Sequence, residues 1–395
     1  MSVLLGHSPD TARRRTMVSL FTGVALLNIG FAGASTAATL IAAGLGGEAV
    51  SGLPSAAGVL GAALGALGIG ALTARYGRRF ALLVAYGVAC AGALTGFIAT
   101  VGALLPLLVL GVLLLGVGNG GALLSRYAAA ELYPAERRGF ALSAIVWSGT
   151  VGAVVGPALI APAAAVASGH GLPRLSGPIL VGALAIAGAA LATAGAPASR
   201  PAPRPVDHPG EPATATLRRP AVRLAVVAMA AAQITMVAVM LMTPLQLERH
   251  GHGLDVVGWI VSAHMIGMFA LAPLSGKIAD RFGGRATIGA GSAVLLTAAA
   301  LAALLPTAHS SGLPVALFLL GYGWNLVFVG GSTVLSRDLP EHARVRLQGA
   351  VDAIIWVAAM FASLAAGPLF GSGGYPVLAA LAGLVALVPA VLLRR

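Results

Sequence analysis

Charge is scarce in this chain, and so are cysteine and side-chain amides. Only 9% of its 395 residues are charged, against about 25% in a soluble domain. The lone Cys90 excludes a disulfide framework and a cysteine-based zinc site. There is one lysine against 23 arginines, and there are only three asparagines. The twelve acidic residues fall in loops or near the ends of apolar runs, Asp352 coming closest to one. No HExxH, GxSxG or phosphate-binding glycine loop occurs, and no carboxylate pair lies inside an apolar run, so the common catalytic constellations are missing. The sequence predicts no enzyme and no resident cofactor.

What is abundant is apolar surface. The chain is 58% hydrophobic with a mean hydropathy of +0.93. Apolar runs of 18 or more residues recur along it, each long enough to cross a hydrocarbon core of about 30 Å. The net charge of +12 does not imply nucleic acid, because the arginines sit in short clusters between these runs. Arg13, Arg14 and Arg15 precede an apolar stretch to about Ala43, too long for a signal-peptide core and therefore a first span.

Twelve spans are predicted, at about 17–42, 50–74, 79–100, 104–129, 140–167, 178–196, 221–246, 256–275, 286–306, 313–336, 350–370 and 376–393. An even count puts both termini on one side. Assigned to the cytoplasm, that side collects 22 of the 24 basic residues, and only Arg174 and Arg249 fall on the other. The positive-inside rule thus predicts a multi-pass protein of the cytoplasmic membrane with both termini inside. Residues 197–220 carry seven of the 23 prolines with Asp207, Glu211 and several arginines. This is a polar linker between an N-terminal bundle, 1–196, and a C-terminal bundle, 221–395.

The halves repeat. GALTARYGRR carries Arg75, Gly77 and Arg79 after span 2, and GKIADRFGGR carries Asp280, Arg281, Gly283 and Arg285 after span 8. Arg75 and Arg281, Gly77 and Gly283, Arg79 and Arg285 are each 206 positions apart. AIVW ending at Trp147 is matched by AIIW ending at Trp356, and Gly156-Pro157 by Gly367-Pro368. This doubled loop, the polar central loop and twelve spans resemble the major facilitator superfamily along the whole chain. The resemblance implies an all-α membrane protein of two pseudo-symmetric six-helix bundles. It implies a monomer that moves a small solute by alternating access, through a cavity lined by spans 1, 4, 7 and 10. The two loops would then be gating elements. Ala74 stands where the first copy of the motif usually has Asp, so the latch is assigned to Asp280, expected near the start of span 5. Val112 occupies the position where drug–proton antiporters of the superfamily carry Arg, and Ile160-Ala161 the place of their glycine pair. Both departures disfavour carboxylate-driven drug antiport. The remaining pairs Gly61/Gly65 and Gly152/Gly156 predict close helix packing.

Asn28, Asn119, Gln233 and Asn325 lie on the four spans that would line the cavity, with Trp324 beside Asn325. An amide facing lipid is unfavourable. These groups are either substrate contacts or interhelical glue.

Six of the nine methionines lie between 229 and 268. Met229, Gln233, Met236 and Met240 step by four, three and four, so they share one face of span 7. On span 8, His264 and Met268 form a second i,i+4 pair, and His264 is the only histidine inside an apolar run. In a symmetric hairpin centred on His252, Met236 lies level with Met268 and Met240 with His264, His264 being roughly 12 Å deep. Thioethers and imidazole suit a soft ion such as Cu(I); gap-filling by Met is the alternative. MxxxM on span 7 and HxxxM on span 8 also resemble bacterial copper importers of the superfamily, which supply haem–copper oxidase assembly and have riboflavin transporters as relatives. The resemblance makes Met236, Met240, His264 and Met268 the ligand set for copper as the transported ion. An organic solute such as riboflavin is the alternative cargo. His250 and His252, on the 7–8 loop, could capture metal before entry or simply be solvated.

Overall fold

The protein was analysed as a computed structural model describing residues 9–122, 125, 132, 138–195, 219–305, 312–338 and 341–393. Every regular element among the described residues is helical. That follows from composition. In lipid each backbone N–H and C=O must be paired within its own segment, and the helix does this without a partner strand.

Nine described helices are long and apolar enough to cross a membrane, or ten when the bent pair in span 5 is taken as one. One further helix, and the division of the last of the nine into two, complete the predicted twelve. Leu105–Gly120 is a shorter apolar helix and supplies span 4. Glu341–Ala386 runs for 46 residues, which would be roughly 69 Å of straight helix, more than twice a hydrocarbon core. It is two spans joined at Gly374, whose φ of 71° and ψ of 178° interrupt the helix. Pro376 then opens span 12, where a missing N–H does no harm.

The spans follow the predicted order. Spans 1, 2, 3 and 6 are Pro9–Gly46, Leu53–Tyr76, Arg78–Val101 and Ser176–Ala194. Spans 7, 9 and 10 are Pro220–Arg249, Gly284–Leu304 and Gly312–Asp338. The linker 197–218 lies outside the described residues. Two spans predicted as single helices are broken. Span 5 is Arg138–Ala158 plus Ile160–Gly169, bent by 44°. Span 8 is Leu254–Phe269 plus Ala272–Phe282. The causes are Pro162 and Pro273: each lacks an N–H, and its ring displaces the carbonyl four residues earlier. The helix containing span 11 starts at Glu341, nine residues before expectation. Asp352 therefore lies three turns inside the helix, while the apolar span itself begins at Val351, beside Asp352, as expected.

Glycines set the spacing of the helices. A Cβ on Gly61 would stand 2.0 Å from the Leu113 carbonyl oxygen, and one on Gly65 1.9 Å from that of Val117. Spans 2 and 4 thus touch through their backbones. Gly152 and Gly156 do the same against Ala25 and Ile29 of span 1, at 2.3 and 2.5 Å. The predicted packing role of these four glycines is what the structure shows.

The repeat is visible in the backbone. Gly77 has φ 82° and ψ 164°, and Gly283 φ 84° and ψ 158°. Only glycine enters this region without strain. In both copies the preceding arginine lies over the aromatic ring between it and the glycine, Arg75 on Tyr76 and Arg281 on Phe282, each 5.3 Å from the centroid.

Candidate functional site

Spans 7, 8 and 10 meet in the middle of the C-terminal bundle. A Cβ on Gly321 would lie 2.4 Å from the His264 carbonyl oxygen and 2.9 Å from the Met268 nitrogen. A Cβ on Gly267 would lie 2.3 Å from the Phe318 carbonyl oxygen. The two glycines let the backbones of spans 8 and 10 touch, which brings the His264 imidazole onto span 10. Its Nδ1 is 2.9 Å from the Leu317 carbonyl oxygen. A carbonyl only accepts, so Nδ1 carries the proton, and Nε2 of the neutral ring is a bare lone pair. His264 is fully buried, and Nε2 has no hydrogen-bond partner among the described residues.

Span 7 reaches the same helix from another side. The Met229 thioether fills the space at Gly331, where a Cβ would stand 2.6 Å from Sδ. Gln233 Oε1 accepts from the Trp324 indole N–H at 2.7 Å. Because Met229 and Gln233 face span 10, their stripe partners Met236 and Met240 lie toward it as well. Met236 and Met268 belong to one buried apolar cluster, and half-buried Met240 packs against it. The turn between spans 7 and 8 occupies 250–253, closed by the His252 N–H on the Leu247 carbonyl. His264 is ten residues below the start of span 8, about 15 Å, close to mid-membrane.

The predicted polar set divides. Gln233 and Trp324 come together across spans 7 and 10, while Asn325 turns to span 8. Trp324 stacks on Phe328 at 4.5 Å and meets Phe269 edge-on at 6.3 Å. Asn325 Nδ2 donates to the Met268 carbonyl at 2.7 Å, while its buried Oδ1 has no partner among the described residues. Asn28 stands apart: it donates to Val24 of its own helix at 2.9 Å, and its Cβ lies 2.7 Å from where one on Gly152 would be. It therefore sits between spans 1 and 5. Asn119 is half-buried on span 4.

Of the predicted gating residues, Arg75, Asp280, Arg281 and Arg285 are exposed. Arg79 donates to the Ala194 carbonyl at the end of span 6. The side chains at the start of span 5, the expected partner of Asp280, lie outside the described residues. His250 is bonded through Nδ1 to the Gln246 carbonyl of its own helix at 2.8 Å. Among the described residues no group of three or more His, Cys, Asp or Glu is placed to hold a metal.

Contacts between the two bundles on the arginine-poor side were not anticipated from the sequence. On the arginine-poor side, Arg249 at the end of span 7 pairs with Glu48 at 3.0 Å, and its neighbour Glu248 pairs with Arg174. Both pairs join the N-terminal bundle to the C-terminal one. They use the two arginines that fell outside the basic-side tally, which was the available signal. Ser51 Oγ donates to Met242 Sδ at 3.5 Å, Ser55 and Ser363 hydroxyls are 3.2 Å apart, and Ser262 donates to the Val154 carbonyl at 2.7 Å. Leu40, Ile160 and Ala164 of the first bundle join the core cluster of the second. Among the described residues, the conformation is shut on the arginine-poor side.

Comparison with known proteins decides the family. The profile of the Major Facilitator Superfamily matches residues 20–256 and 224–395. The chain belongs to the major facilitator superfamily. Membership makes it a membrane transporter of small solutes and not an enzyme. It is 32% identical over 360 residues to YddS of Bacillus subtilis, an uncharacterised MFS-type transporter, covering 88% of this chain and 82% of that one. It is 32% identical over 312 residues to the riboflavin transporter RfnT of Brucella anthropi, covering 76% and 75%. The fold matches a D-xylose–proton symporter at a TM-score of 0.71 with 18% identity, over 96% of this chain and 97% of that one.

Proposed function

We propose that this superfamily transporter imports copper ions, as Cu(I), across a bacterial cytoplasmic membrane, working as a monomer with both termini inside. The observation that carries the proposal is His264. A fully buried imidazole whose Nδ1–H is held by a backbone carbonyl, with Nε2 unpartnered among the described residues, has the arrangement typical of metal-ligating histidines. The methionines on and opposite its helix add soft ligands and no charge, which suits Cu(I) over harder cations. Met236, Met240, His264 and Met268 are the proposed contacts. The Arg75–Arg79 and Asp280–Arg285 loops are the proposed gate for the arginine-rich side.

The test is uptake of radioactive copper, under reducing conditions, by cells expressing the chain. Expected is uptake above the vector background that is lost in His264→Ala and in Met236→Ala. Uptake unchanged in both variants would sink the copper reading.

A second reading is favoured by one finding, the 32% identity to a riboflavin transporter. Trp324 and Phe328 offer stacked rings beside Gln233 near mid-membrane, a setting in which a flat heterocycle stacks well. Labelled riboflavin uptake that falls in Trp324→Ala, with no copper uptake by the wild type, would establish this alternative.

A further inference from the structure

Spans 5 and 8 meet across the two bundles toward the arginine-poor side. Ser262 of span 8 donates to the Val154 carbonyl of span 5 at 2.7 Å. A Cβ on Gly258 would stand 2.4 Å from the Pro157 carbonyl oxygen and 3.6 Å from the Ala158 Cα. The two helices run antiparallel, so a step along one is a step back along the other. Val154 is level with Ser262, and Ala158 with Gly258. Seven residues further in, about 10.5 Å, Trp147 comes level with Phe269. Seven residues is close to two full turns, so each ring lies on the face that its helix turns to the other.

Trp147 is 59% exposed, so its ring is largely uncovered in this conformation. Lipid does not account for it. Trp147 stands nine residues, roughly 13 Å, from the start of span 5 at Arg138, deeper than the interfacial belt where lipid-facing tryptophans gather. Phe269 is half-buried and meets Trp324 edge-on at 6.3 Å. The internal repeat carries a similar arrangement. Trp356 ends the matching AIIW, seven residues inward of Ser363, whose hydroxyl is 3.2 Å from that of Ser55 on the first bundle.

We infer that Trp147 and Phe269 form an inner gate of the transport path: when the arginine-rich side shuts, the bundles rock together and the Trp147 ring seats on Phe269. Facing aromatic rings attract beyond the apolar area they bury, by a modest amount, which suits a contact made and broken in every cycle. Phe269 already abuts Trp324, whose N–H is held by Gln233. The closed gate therefore continues the aromatic wall of the site across to the first bundle. It lies deeper than the two arginine loops, and it does not depend on which solute is carried.

The test uses the purified full chain in a Cys90→Ser background. In W147C/F269C a short bis-methanethiosulfonate should bridge the bundles, read as halves that stay joined after cleavage at a protease site placed in the linker 197–218. L94C/F269C, whose first cysteine is on span 3, should give no bridge. Separately, S51C reports opening of the arginine-poor side. Ser51 is fully buried against Met242 of the other bundle, so a maleimide reaches it only when the bundles part there. W147A should slow that labelling roughly fivefold, the worth of one aromatic pair. W147F should keep most of the rate, and both variants should keep the wild-type melting temperature. A W147C/F269C bridge no stronger than the control, labelling unchanged in W147A, or labelling slowed equally in W147F would overturn the inference.

Discussion

The ion pairs on the arginine-poor side should bias which face of the transporter is open. Glu48 and Glu248 bind arginines of the opposite bundle, so these contacts exist only while that side is shut. Replacing both with glutamine keeps side-chain size and removes the charge. The side chains are between 28% and 51% exposed, so each pair contributes at the level of a surface salt bridge, about 0.2–1 kcal/mol. Two pairs, both at the last turn of span 7, then total about 1 kcal/mol, and their loss multiplies the share of molecules open on that side roughly fivefold. Distances between spin labels at Leu45 and Asp255, in a Cys90→Ser background, read the two populations. In E48Q/E248Q the long-distance population should rise, and 1 M salt should have the same effect on the wild type but little on the variant. An unchanged distance distribution, or a salt effect equal in both proteins, would refute the reasoning.

Four further outcomes follow from the packing. Gly65→Ala should lower the melting temperature, because a Cβ 1.9 Å from the Val117 oxygen forces spans 2 and 4 apart at about 1–3 kcal/mol. Gly68→Ala, with nothing within 4 Å, should leave it unchanged or slightly raised. Gly283→Ala should destabilise by about 1–2 kcal/mol, since alanine resists a φ of 84°; thermal melts in detergent check all three. Trp324→Phe should cost about 1 kcal/mol by stranding Gln233 Oε1, and Gln233→Leu combined with it should recover part of the loss.

The architecture was legible because the membrane dictates segment length and glycine dictates the loops. Hydropathy alone placed the spans, and the doubled motif put Gly77 and Gly283 at equivalent positions, where their dihedrals agree within a few degrees. The breaks in spans 5 and 8 were also written in the sequence, at Pro162 and Pro273, but hydropathy is blind to them. The candidate site was only half legible. Helical spacing put Met236 and Met240 on one face, and His264 and Met268 on another. It did not say that span 10 lies against both, because that contact depends on Gly267 and Gly321 letting backbones meet. The partner of His264 is a backbone carbonyl, which has no sequence signature. Asn28 was assigned to the cavity by its helix number, and helix number alone did not reveal that its Cβ packs against Gly152 of span 5. The ion pairs join residues 74 and 201 positions apart, beyond any local pattern.

The central claim is that His264 offers its unpartnered Nε2 to a transported Cu(I). Copper uptake by cells expressing wild type, His264→Ala and His264→Gln tests it most directly, with expression and melting temperature matched. The account predicts wild-type uptake above background and its loss in both variants. Robust uptake by either variant, or none by the wild type, would contradict it.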